Sequence, residues 1–213
     1  MPILQHAKTE HYEWGIWQIT ESEEQLLAHI DHLYPAYNIQ LAHFTAIHRR
    51  LEWLATRALL SALIPQAPEI IYNDNGRPHL SDNSYHISIS HTKGYAAVIL
   101  SKTSIVGIDI EQYGRRVEKV TSHFMNANEK PSLYKGDHIW SLLLHWSAKE
   151  TVFKCLKKQK DFDLVESITI YPFEVKEEGS FTAEENFTPF KNKYEIKYQL
   201  ANEYVMTYTL TNQ

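Results

Sequence analysis

Trp146-Ser147-Ala148-Lys149-Glu150-Thr151-Val152-Phe153-Lys154 lies inside a longer stretch, 139–156, that is rich in Leu and Trp and free of Gly and Pro. That composition predicts a helix. Residues four apart share a helix face, so Glu150 and Lys154 project side by side while Trp146, Phe153 and Leu156 supply apolar surface. The pair is either a solvated ion pair worth about 0.3–0.5 kcal/mol or two charged groups held on a rigid support for chemistry. The stretch alone leaves both readings open, and the rest of the chain has to decide between them.

Hydrophobic residues make up 43% and charged residues 22% of the 213. This excludes general disorder and is enough for one large core or two small ones. No apolar run approaches the roughly 18 residues that span a bilayer. Residues 1–13 lack the blocks of a signal peptide, so a cytoplasmic protein with no membrane association is expected. The single cysteine, Cys155, excludes an internal disulfide and reads as an inert packed thiol. A net charge of −5 argues against nonspecific nucleic-acid binding, while a local basic patch would still suit an acidic partner.

In chain order, 14–19 alternates like a strand, and Thr20 or Ser22 offers a cap for a helix through Leu26, Leu27 and Ile30 that Pro35 ends. A longer helix is expected over 41–63, with Phe44, Ile47, Leu51, Leu54, Ala58 and Leu59 on one buried face. Its Arg49, Arg50 and Arg57 read as solvated or as a cationic face. Asn73-Asp74-Asn75-Gly76-Arg77-Pro78 is strong turn chemistry that would present Arg77 at an exposed tip. Residues 85–90 and 95–100 read as strands joined by His91-Thr92-Lys93-Gly94, with His91 either structural or facing an anion. Further strands are expected over 167–171, 194–200 and 204–210, and 176–186 reads as a solvated acidic connection. Lys154, Lys157, Lys158 and Lys160 crowd toward the end of the 139–156 helix, where they favour its dipole.

Ile105-Val106-Gly107-Ile108-Asp109-Ile110-Glu111 reads as a buried strand, yet its two acids are two residues apart and so share a face. Two neighbouring anions repel, so the pairing calls for a metal, a basic side chain or protonation of one acid, unless the strand end is simply solvated. Oxygen donors of this kind suit Mg²⁺.

These stretches together resemble the 4′-phosphopantetheinyl transferases. Gly107 to Glu111 followed by Trp146 to Lys154 is similar to that family's paired signature. Asn75-Gly76-Arg77-Pro78 resembles its Gly-Lys-Pro turn, with Arg77 in place of Lys. Ile87-Ser88-Ile89-Ser90-His91-Thr92 resembles its Asn-Ile-Ser-His-Ser strand end, with Ser88 in place of Asn. Arg50 to Arg57 is similar to the helix near the start of the larger, surfactin-type members.

The resemblance implies an α+β fold of two similarly built subdomains, 1–103 and 104–213, each with helices on a small, mainly antiparallel sheet and a cleft between them. It implies Mg²⁺-dependent transfer of the phosphopantetheine arm of coenzyme A to a serine of an acyl or peptidyl carrier protein, releasing adenosine 3′,5′-bisphosphate. Asp109, Glu111 and Glu150 would hold the metal in the C-terminal subdomain. Glu150 and Lys154 would be catalytic, and Arg50, Gly76, Arg77, Ser90, His91 and Lys149 would bind coenzyme A. A monomer acting without nucleic acid or membrane is expected. The alternative from another class is a catalytically silent module that binds coenzyme A or a carrier protein.

Overall fold

Between Ile47 and Leu63 the chain has no Gly or Pro, and Leu54, Ala55, Ala58 and Leu59 recur at helical spacing with essentially no exposed surface. The computed structural model, which describes residues 3–30, 34–156 and 163–211, forms a helix there and divides into two units, Met1–Ser104 and Ile105–Gln213. Both are mixed: helices pack on sheets whose paired strands all run antiparallel. Among the described residues no helix is long and apolar enough to cross a membrane.

In the N-terminal unit, β1 (Ile3–Lys8), β2 (Glu13–Gln18), β5 (His86–Thr92) and β6 (Tyr95–Ser101) form a sheet ordered β1-β2-β6-β5, and β3 (Ile70–Tyr72) pairs with β4 (Pro78–Leu80) as a hairpin. Helices α1 (Glu23–Ala28), α2 (Tyr34–Ala42) and α3 (Ile47–Leu63) complete it, and α3 lies on β2, β5 and β6. Ser22 is the cap of α1. Its hydroxyl accepts from Gln25 N at 3.3 Å while Gln25 Oε1 accepts from Ser22 N at 2.9 Å, a reciprocal capping box.

Three expectations change here. Pro35 starts a helix rather than ending one, because proline is tolerated in a first turn, where its missing N–H has no intrahelical partner. The expected 41–63 helix is two helices broken at 43–46. The break is sealed by Arg50, whose Nη1 donates to the Leu41 and Phe44 carbonyls at 3.2 and 3.5 Å. Arg57 is not solvated: it is buried with its Cζ 3.4 Å from the Trp53 ring centroid, and its Nη1 donates to Trp53 O at 3.2 Å.

In the C-terminal unit, β7 (Ile105–Gln112), β8 (Ile168–Ile170), β9 (Glu178–Glu185), β10 (Lys193–Leu200) and β11 (Tyr204–Thr211) form a sheet ordered β7-β11-β10-β9-β8. Helix α4 (Ile139–Cys155) packs on β7 and β11, preceded by a 3₁₀ segment over Arg115–His123, and α5 (Leu164–Ser167) is one short turn. The acidic stretch read as a connection is strand β9. Phe181, Ala183 and Glu185 face inward between outward polar residues, and buried Glu185 accepts from Thr188 N at 2.7 Å and Asn192 N at 3.1 Å to close the following turn. Lys157, Lys158 and Lys160 lie outside the described residues. Cys155 is buried, as expected of a packed thiol.

Candidate active site

Gly107 sets the distance between β7 and α4. A Cβ at this position would collide with the Thr151 carbonyl oxygen and come within 2.8 Å of Cys155 Sγ, so the strand lies against the helix backbone. Small polar residues make the matching contact on β11: Thr207 Oγ1 is 2.8 Å from Ser147 Oγ and 2.7 Å from Thr151 Oγ1, all three side chains being buried. This close approach brings the charged residues of α4 to those of β7.

Asp109 and Glu111 stand opposite Thr207 and Val205 on the register of β11. Lys154 Nζ donates to Asp109 Oδ1 at 2.8 Å and to Ile108 O at 2.9 Å, so Lys154 pairs across to the strand. Trp146 Nε1 donates to Glu111 Oε1 at 2.8 Å, a link 35 residues apart in sequence, while its ring stands edge-on to Phe124. Burial pushes the Glu111 carboxyl up to about 7, with the Asp109 charge adding to the rise, and burial with Asp109 raises Glu150 too. The cluster is therefore short of positive charge. Its donors are hard carboxylate oxygens, which fit a divalent cation such as Mg²⁺. Among the described residues, no three His, Cys, Asp or Glu side chains are gathered as a ready-made metal cage.

Lys149, expected to bind coenzyme A, is placed in the interior of the unit. Its side chain has no exposed surface, and its Nζ donates to Glu129 Oε2 at 2.9 Å. Glu129 also accepts from Asn126 N at 2.9 Å and Ile170 N at 2.7 Å, so the pair ties α4 to β8 and to the 126–129 turn. Burial lowers the Lys149 pKa against the pull of Glu129.

The remaining residues lie in the N-terminal unit. Gly76 has φ +78 in the turn between β3 and β4, where Gly76 N donates to Asn73 O at 2.8 Å. Arg77 is half-buried at the start of the returning arm, not at the exposed tip, which falls at 73–76. Ser90 is buried and His91 exposed, and as consecutive strand residues they point to opposite faces of β5. The strand runs on through Thr92, which pairs with Tyr95, so Lys93 and Gly94 alone make the turn. Arg50 Nε donates to Glu23 Oε2 at 2.8 Å and its Nη2 to Glu23 Oε1. His91 Nδ1 and Arg49 Nη1 each lie 3.3 Å from Glu52 Oε2.

Trp146 was legible only as core, and no sequence signal marks its indole N–H as a partner of Glu111. Glu129, Glu52 and Arg49 carry no signal in the sequence, since the distant partner of a charged side chain leaves no local pattern.

Residues 105–209, nearly the whole of the C-terminal unit, match the sequence model of the 4′-phosphopantetheinyl transferase superfamily. Over those residues, just under half of its length, the chain is similar to that superfamily. Among curated proteins it is similar to the 4′-phosphopantetheinyl transferases AcpT of Escherichia coli K12, 42% identical over 64 residues, and of Salmonella typhi, 39% identical over 64 residues. Each match covers 30% of this chain and 33% of the relative, so the chain spans about a third of the length of these curated relatives. Within the superfamily unit lie Asp109, Glu111, Glu150 and Lys154. Arg50, Gly76, Arg77, Ser90 and His91 fall outside the matched residues.

Proposed function

We propose that this chain transfers the 4′-phosphopantetheine arm of coenzyme A to a serine of an acyl or peptidyl carrier protein, as a holo-carrier-protein synthase of the larger two-subdomain class, with subdomains 1–103 and 104–213 in one monomer of the cytoplasm. The observation that carries this reading is the positive-charge deficit around Asp109, Glu111 and Glu150, with Lys154 at its edge, inside the superfamily unit.

Asp109, Glu111 and Glu150 would hold Mg²⁺, which when bound neutralises charge on the pyrophosphate of coenzyme A. The serine oxygen attacks the phosphorus that carries the pantetheine arm. The bond from that phosphorus to the bridging pyrophosphate oxygen breaks, and adenosine 3′,5′-bisphosphate leaves with the bonding electrons. Glu150 accepts the serine proton directly or through a water. Lys154, about a quarter exposed, donates to the phosphoryl oxygens as charge builds. Arg50, Gly76, Arg77, Ser90 and His91 serve the nucleotide end, His91 nearest the 3′-phosphate.

The test is intact-mass measurement of an apo-carrier incubated with coenzyme A, Mg²⁺ and the protein. A mass gain of one phosphopantetheine arm on the carrier serine is expected; no gain across acyl and peptidyl carriers would sink the proposal. The silent-module reading predicts calorimetric binding of coenzyme A with no such gain.

A further inference from the structure

We propose that Tyr113 is a positioning residue for the metal site: its phenol, bonded to Asp137 and stacked on Trp140, fastens the end of β7 to the start of α4 and so sets Glu111 against Glu150. The inference rests on the proposed role of those two carboxylates as Mg²⁺ ligands.

β7 has a strand neighbour on one side only, β11. Glu111 lies next to last in β7, where a strand held by few backbone bonds opens first. The chain is secured one residue beyond the strand. Tyr113 N donates to Glu203 O at 2.7 Å, and Tyr113 Oη donates to Asp137 Oδ2 at 2.6 Å, a link of 24 positions in sequence. The Tyr113 ring also lies against Trp140, with centroids 4.4 Å apart and planes at 37°.

Asp137 is itself a fixed support. Its Oδ1 accepts from Ile139 N at 3.0 Å in the first turn of α4. Its backbone closes a two-residue turn with Tyr134: Tyr134 N donates to Asp137 O at 2.9 Å and Asp137 N to Tyr134 O at 3.2 Å. Lys135 and Gly136 between them have φ +49 and +89, the backbone of a tight hairpin turn. A carboxylate held through its other oxygen and its own backbone does not follow a tyrosine that drifts, so the bond pins Tyr113.

The place of this fastening gives it its effect. Trp140, Ser147 and Thr151 are seven and four residues apart and form one stripe of α4. Ser147 and Thr151 meet Thr207, the Thr151 backbone lies over Gly107, and Trp140 meets Tyr113. The strand covers about 20 Å from Gly107 to Tyr113, and the helix about 17 Å from Thr151 back to Trp140. The two elements are thus joined at both ends of the stretch that carries Asp109 and Glu111. Two fastenings fix the rotation of α4 about its own axis, which a single one leaves free. Glu150 precedes Thr151 by one residue, about 100° round the helix, so a rotation of α4 swings its carboxylate relative to β7. Mg²⁺ demands near-octahedral oxygens at about 2.0–2.1 Å, so a small swing costs affinity.

The experiment titrates Mg²⁺ into the protein with coenzyme A present, by calorimetry, for the wild-type chain, Tyr113→Phe and Tyr198→Phe. The last is a matched control in the same unit: the Tyr198 hydroxyl accepts from Lys176 N at 3.0 Å and donates to Glu174 O at 3.4 Å, and it holds neither β7 nor α4. Tyr113→Phe should raise the Kd for Mg²⁺ about tenfold, the factor carried by one hydrogen bond to a charged group. In carrier labelling it should raise the Mg²⁺ concentration for half-maximal rate, with kcat recovered at saturation. Tyr198→Phe should lower the melting temperature and leave the Kd unchanged. A merely structural role for Tyr113 would lower its melting temperature in the same way, so a folded Tyr113→Phe protein with the wild-type Kd overturns the inference. An equal rise in Kd for Tyr198→Phe overturns it too, since general loosening would then suffice. If Tyr113→Phe does not fold, Trp140→Phe decides: the smaller ring should raise the Kd about threefold, and an unchanged Kd overturns the inference. A wild-type chain that binds no Mg²⁺ overturns the metal reading itself, and this inference with it.

Discussion

The two units handle their acids in opposite ways. In the N-terminal unit each inward carboxylate near α3 meets a cation: Glu23 has Arg50, and Glu52 has Arg49 with His91. The hydrogen bond from Arg50 holds the Glu23 carboxyl below its ordinary value. In the C-terminal unit Asp109, Glu111 and Glu150 share Lys154, while the neighbouring Lys149 is taken up by Glu129. Burial and mutual repulsion then push Glu111 and Glu150 upward. Balanced acids hold a fold together, whereas a cluster left short of positive charge is poised to take up a cation from outside.

The sharpest break of that contrast is functional. Asp109→Ala or Glu150→Ala is expected to lower carrier labelling by about 10³-fold while circular dichroism shows an intact fold, since each removes charge from the reaction rather than from the core. Near-normal labelling by either variant would place the chemistry elsewhere. Next in size is the buried pair. Lys149→Ala strands the Glu129 carboxylate and should cost about 3–5 kcal/mol in denaturant unfolding, and replacing both by apolar residues should recover most of it. If Lys149→Ala were as stable as wild type but bound coenzyme A poorly, Lys149 would be a ligand after all.

Gly107→Ala should follow at about 1–3 kcal/mol, because the added methyl meets backbone that cannot turn aside. The smallest effect is the pH slope, and its sign differs between the units. Glu111 has a raised folded pKa, so between 4.5 and about 7 the folded protein holds the extra proton and stability falls as pH rises. Glu23 has a lowered folded pKa, so its contribution is present above 4.5 and is lost as pH falls toward the folded value. Metal-free thermal melts of Glu111→Gln should lose the first slope and those of Glu23→Gln the second.

Much of this could be read from local pattern. The acids two apart on a strand and the Glu150, Lys154 pair four apart on a helix are short-range signals, and α4 and β7 formed where periodicity put them. What failed depended on partners distant in sequence. The 41–63 helix looked continuous because nothing in 43–46 breaks a helix outright; the break is stabilised by Arg50 reaching back to Leu41 and Phe44. β9 leaves little strand pattern in the sequence because it carries one large apolar residue, Phe181, and draws its pairing from β10 and β8. Lys149 and Lys154 are five residues apart with the same charge, and only the folded chain shows that one turns to Glu129 and the other to Asp109.

Titration calorimetry of Mg²⁺ into the protein with coenzyme A present, repeated with Asp109→Asn, tests the charge deficit on β7 and α4 most directly. The deficit predicts saturable Mg²⁺ binding by the wild-type chain, with a matching rise in melting temperature equivalent to about 2.7 kcal/mol at a hundredfold excess over Kd, and loss of both in Asp109→Asn. Equal binding and equal stabilisation in the two proteins would contradict it.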